Sequence, residues 1–231
     1  MFGPFKKKTP PPATPAAPHP LRETFFGDLD LKAWTASPGA EEPEFVAALS
    51  AAREAIAAGR NADAIPHLQK VAALSGLESR VTLMAWHHLA KLGVPPPAEI
   101  AKKVHGVVIE VWMKEGLDIV AAYADGSARY INYTGKVIIW DAPGSDATIE
   151  SPLRSLLAAG QAVADRIGPW EGGCNRPPAP PYGLVRLSML TPSGVHFGQG
   201  QYAQLSADPM GAALLTGALG LMRSLTEREG A

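Results

Sequence analysis

The chain predicts an α+β fold, an N-terminal helical subdomain followed by an antiparallel β-meander packed with two C-terminal helices. Three observations lead there. Apolar residues recur every three or four positions through 45–92, and again near 149–167 and 210–225, the signature of buried helix faces. Between Val104 and Asp141, runs rich in Val, Ile and aromatics are separated by Glu115-Gly116, Asp125-Gly126 and Thr134-Gly135, and such dipeptides between apolar runs mark hairpins. The order helices, four strands, helix, two strands, helix fits an antiparallel sheet with segregated helices. A hydrophobic content of 46 % supplies the core.

Residues 1–22 hold seven prolines, four basic groups and no acid. Too little apolar surface is present to offset ordering entropy, so a disordered Pro/Lys-rich arm is expected. Its Phe2, Phe5, Lys6, Lys7 and Lys8 suit weak contact with an anionic membrane surface, and its prolines suit docking on an aromatic groove. Residues 23–40 read as a packing clip, with Phe25, Phe26, Leu29 and Leu31 leading to Trp34.

The helical subdomain spans 41–94. Phe45, Leu49, Ala52 and Ile56 line one helix, which Gly59 stops. Asn61 is a cap candidate for a second helix bearing Ile65, Leu68 and Val71. A third follows Gly76, with Val81, Met84, Leu89 and Leu92 on one face, and ends at Gly93 and Pro95-Pro96-Pro97. With small residues at Ala57, Ala58, Gly59 and Ala64, then Leu68 and Ala72, the stretch over about 45–92 resembles a tetratricopeptide-type helical repeat. That resemblance implies a groove for a peptide.

The α+β domain spans 98–228. Its strands are expected at 104–114, 117–123, 128–133 and 136–141, with two-residue loops in all three hairpins. That register sets Trp112 opposite Ile119, Tyr123 opposite Ala128, Ala121 opposite Tyr130 and Tyr130 opposite Ile139. One face then carries Trp112, Ile119, Tyr123 and Tyr130 and the other Val107, Val120, Ile131 and Trp140. A meander open to water has one polar face, and this one has none. The C-terminal helices, 145–167 and 209–226, would cover one side. The N-terminal helices, the clip or a partner subunit would cover the other. Asp208-Pro209 caps the final helix, and strands near 183–191 and 195–198 precede it. The closing stretch RLSMLTPSGVHFGQGQYAQLSADPMGAALLTGALGLMRSL resembles the end of Roadblock-type profilin-like domains. That resemblance implies a dimerising, non-enzymatic scaffold or regulator of small GTPases and carries over no site residue.

Several function classes are excluded or disfavoured. A net charge of −1 argues against nucleic acid as partner. No run of 18 apolar residues exists, so no stable membrane insertion is expected. The lysines of the arm run straight into prolines rather than into the apolar core of a secretory signal, and the one cysteine, Cys174, suits a cytoplasmic protein. Gly198-Gln199-Gly200-Gln201-Tyr202-Ala203 has dinucleotide-loop glycines but no acid about 20 residues on, so a strand-to-helix bend is the better reading. His87 and His88 point to different sides of one helix, and Asp63 with His67 makes only two ligands, so neither a metal nor a cofactor is expected. Asn132-Tyr133-Thr134 is read as a hairpin end. Glu110 lies on the aromatic face and is expected to pair with a covering basic residue.

The sequence therefore points to a non-catalytic cytoplasmic protein-interaction or scaffold protein. It would act through an apolar sheet face and its helical module, with a protein partner or as a homodimer. One alternative is a small-molecule sensor in which Trp112, Tyr123 and Tyr130 line a pocket between the sheet and its covering helices. The other is a hydrolase using Cys174 with His105 or His196.

Overall fold

A computed structural model describes residues 20–33, 43–112, 116–172 and 175–229. Helices α1 (Glu44–Ala57), α2 (Asn61–Ala73) and α3 (Ser79–Lys91) precede a short α4 (Ala98–Ala101). Strands β1 (Gly106–Trp112), β2 (Leu117–Tyr123), β3 (Ala128–Ile131) and β4 (Val137–Trp140) follow. Then come α5 (Ala147–Ala164), β5 (Val185–Thr191), β6 (Gly194–Gly200), α6 (Tyr202–Ala207) and α7 (Pro209–Glu229). All strand pairs are antiparallel, in the order β4-β3-β2-β1-β5-β6. The fold is α+β, as the periodicities predict.

The hairpins depart from the expected register, and the reason is local. Asp125-Gly126 closes a three-residue loop, not a two-residue one: the Tyr123 amide bonds the Ser127 carbonyl, and Gly126 takes a φ of +88°. The β3–β4 turn repeats this, with the Asn132 amide on the Lys136 carbonyl and Gly135 at +86°. A type I turn followed by a left-handed glycine produces this hairpin. One extra loop residue moves the register by one, which turns every side chain of the next strand over. Tyr130 therefore lies opposite Val120 and Ile138, and Ala128 opposite Ala122. Tyr130 and Ile131 exchange faces relative to expectation. The second slip cancels the first, so Val137 and Ile139 stay on the expected side. At the first hairpin Trp112 pairs with Leu117, a two-residue shift that preserves the face.

Most of each face is covered from within the chain. On one, α5 and α7 bury Val107, Ile109, Val120, Tyr130 and Trp140. Gly160 lets α5 approach closely, since a Cβ there would sit 2.4 Å from Val107 Cγ2. Asp146 caps α5 by accepting from the Thr148 amide. Pro152 lies inside α5 and cannot donate to the Thr148 carbonyl; the Ser224 hydroxyl of α7 donates to it instead, at 2.9 Å. Asp208 caps α7, accepting from Met210 and Gly211. The strand-to-helix bend after Gly198 is present, as β6 leads directly into α6.

The other face is covered by the clip and by α3, with Phe25, Phe26 and Leu83 packed on Val108, Ile119 and Tyr123. Residues 1–19 of the expected arm, and Trp34 of the clip, lie outside the described residues. The last arm residues are packed: Pro20–Phe25 forms a 3-10 turn and Arg22 is 3 % exposed. Composition reads Arg22 as a solvated cation, but the fully buried Glu110 takes it as counter-ion, Nε to Oε1 at 2.5 Å. Glu110 thus has the covering basic partner that its position demanded, and it faces Ile119 across the β1–β2 pair. The α1–α3 helices keep their own core around Leu49, Leu68 and Met84. They join the sheet partly through Asp125, whose Oδ2 accepts from the Ser79 amide at the start of α3. Among the described residues no helix is long and apolar enough to cross a membrane.

Candidate functional site

The three aromatic candidates do not converge. Tyr123 is fully buried, and its hydroxyl donates to the Phe25 carbonyl at 2.9 Å, which anchors the clip. Burial pushes its phenol well above the ordinary value. Trp112 sits half-buried at the end of β1, its indole N–H donating to the Pro180 carbonyl and its ring beside Tyr182. Tyr130 is on the opposite face, where its hydroxyl donates to Asp118 Oδ2 at 3.0 Å. Burial, then the Asp118 carboxylate, pushes the Tyr130 phenol up to about 12. A single pocket lined by all three does not form.

The clip-side face is incompletely covered at its β3–β4 end. The 3-10 turn and α3 cover β1 and β2, and beyond them Ile139 is 56 % and Val137 37 % exposed. Leu21, 38 % exposed on the 3-10 turn, adds to this surface. Together they border a groove of about 470 Å³ floored by Ile131. Its rim is charged: Arg129 bonds Glu78 and lies 3.4 Å from Asp141. β4 pairs only with β3 in the sheet order, so the outer backbone edge of β4 is open among the described residues. An open edge beside exposed apolar side chains is the arrangement that soluble proteins otherwise blunt. The sequence holds the signal for it. Val137 and Ile139 alternate with buried Ile138 and Trp140, and the helices that would cover them lie over the other face.

Other chemistry is sparse. Cys174 lies outside the described residues. His105 is held down to about 4, first by burial and then by Lys103. His196 is fully buried, with Nδ1 3.1 Å from the Ile167 carbonyl and Nε2 3.2 Å from Ser193 Oγ. With Nδ1 donating to that carbonyl, Nε2 accepts from Ser193. A serine–histidine hydrogen bond is one requirement of a nucleophile–base pair, and sequence spacing gave no hint of this one. The same Ser193 hydroxyl lies 3.0 Å from Thr191 Oγ1, which donates to the Gly194 carbonyl, so the group also closes the β5–β6 turn. Among the described residues no three His, Cys, Asp or Glu side chains are placed to hold a metal ion. No family model, curated protein or solved structure matches the chain.

Proposed function

We propose that the protein is a non-catalytic interaction module that docks another protein on the open β3–β4 end of its sheet. The observation that carries this reading is the exposed Val137–Ile139 pair beside the unpaired edge of β4. Strand addition at such an edge supplies main-chain hydrogen bonds, and the flanking apolar side chains supply specificity. A second copy of the chain is the simplest partner: two β4 edges related by a two-fold axis would form one continuous antiparallel sheet. Work in the cytoplasm accords with the single cysteine.

Sedimentation velocity of the full chain tests this. A dimer is expected, and Ile139→Lys is expected to give a folded monomer, because the side chain is mostly in water in the single chain. The reading is overturned by a monomeric wild type that also captures the same lysate proteins as Ile139→Lys.

A further inference from the structure

On the opposite face of the sheet, α7 leaves a second opening. Val111 and Val120 of the sheet and Leu215 and Met222 of α7 wall a cleft of about 320 Å³. Its lining is apolar except for Asp118 and the hydroxyls of Tyr130 and Tyr202. Asp118 interrupts an otherwise apolar strand, Leu117–Tyr123, and its side chain faces this cleft. The carboxylate accepts two hydrogen bonds, from Tyr130 Oη at 3.0 Å and from the Tyr133 amide at 2.7 Å. Both donors are neutral. Among the described residues no basic side chain pairs with Asp118.

We propose that this cleft binds a small apolar molecule carrying an ammonium group, with the cation on Asp118 and the apolar body between the sheet and α7. The chemistry selects each part. A carboxylate has about four lone-pair sites, so two hydrogen bonds leave acceptor capacity for a charged donor. Charge-assisted bonds of this kind are about twice as strong as neutral ones. Tyr130 forms part of the cleft wall, and Tyr202, 54 % exposed, stands at the mouth; both present ring surface that favours a cation. A neutral apolar ligand would desolvate Asp118 without replacing its water, which is costly. An anion would be repelled. The volume lies at the small end of ligand sites and fits a body the size of a phenyl ring with a two-carbon tether. The site is on the other face from the β4 edge, so its fate is independent of the docking surface.

Calorimetric titration of the full chain with phenethylamine tests the proposal, with phenethyl alcohol and hydrocinnamate as neutral and anionic analogues of similar shape. The amine is expected to bind one site, the alcohol about tenfold more weakly or worse, and the acid not at all. Asp118→Asn keeps an acceptor for Tyr130 but removes the charge, and is expected to weaken the amine at least about tenfold. Met222→Trp narrows the cleft from a partly exposed position and is expected to abolish binding. Should Asp118→Asn fail to fold, Met222→Trp and the analogue series decide. The proposal is overturned by no amine binding to wild type, by equal binding of amine and alcohol, or by amine binding that survives either folded variant.

Discussion

Arg22 and Glu110 offer the sharpest test of how the clip is held. Their side chains are 4 % and 0 % exposed, and the guanidinium is bidentate, with Nε 2.5 Å from Oε1 and Nη2 3.2 Å from Oε2. Arg22 also donates to the Pro177 carbonyl and lies over the Phe26 ring. Removing one partner of such a pair strands a buried charge and costs about 3–5 kcal/mol. Arg186, across the strand pair from Glu110, modifies that figure. Its guanidinium bonds Gln199 and the Pro178 carbonyl, so it offers Glu110 only a through-space charge. Arg22→Met keeps the aliphatic stem and leaves Glu110 with that partial compensation, placing its cost near 3 kcal/mol. Glu110→Leu leaves two buried guanidinium groups without the carboxylate between them. Burial already depresses Arg186, the Arg22 charge adds to that, and Glu110 opposes it, so the cost sits near 5 kcal/mol. The double variant removes both charges and leaves Arg186 to its neutral partners Gln199 and the Pro178 carbonyl. It should recover most of the Glu110→Leu loss, because an apolar pair of similar volume often replaces a buried ion pair at little cost. Urea unfolding of the four proteins measures this, with linear extrapolation giving each stability. At roughly 2–4 °C per kcal/mol, Arg22→Met lowers the thermal midpoint by about 6–12 °C. The reasoning is refuted if both single variants stay within about 0.5 kcal/mol of wild type, the range of ordinary surface changes. It is equally refuted if the double variant is no better than the worse single one.

Three further outcomes follow from the packing. Gly160→Ala gains helix propensity but drives a methyl into Val107 and Met189, so a net loss of about 1–3 kcal/mol is expected in thermal unfolding. Asp125→Ala removes the acceptor for the Ser79 and Ser127 amides and should cost about 1 kcal/mol; hydrogen exchange should quicken first at residues 79–82, and uniform exchange would count against the capping role. His105 has a folded value near 4 against an ordinary 6.5, so below pH 6.5 the unfolded chain binds the extra proton. Its contribution is fully present above pH 6.5 and is lost as pH falls toward 4, by up to about 3 kcal/mol. His105→Gln should flatten that slope in acid titrations followed by circular dichroism, and an unchanged slope would place the effect elsewhere.

Much of the architecture is legible in the residues, and the failures have specific causes. Apolar spacing locates the helices because burial imposes it, and Asp208-Pro209 caps α7 as its chemistry requires. The Asp-Gly and Thr-Gly pairs mark the right turns but not their loop lengths, since a left-handed glycine serves two-residue and three-residue hairpins alike. That one-residue ambiguity separates Tyr130 from Trp112 and Tyr123 and dissolves the pocket they were expected to share. Asp125 explains why the longer loop suits this chain: the turn presents its carboxylate to α3, a tertiary demand invisible to local pattern. Arg22 was hidden for a similar reason, because its partner lies 88 residues away. Asp118, by contrast, was in plain view as a charge within an apolar strand.

The clip has a consequence for the order of assembly. Its anchors join residues separated by 88, 98 and 155 positions: Arg22 to Glu110, Tyr123 to Phe25, and Arg22 to Pro177. Closing loops of that length costs more entropy than forming the local hairpins and the α1–α3 helices. Residues 20–33 precede nearly all of the structure they complete, and loop-closure entropy favours their docking after the local elements have formed. Until then the face holding Val108, Ile119 and Tyr123 stays open to water. An undocked clip leaves that apolar face as an aggregation surface, so a change at Arg22 is expected to lower the yield of folded protein.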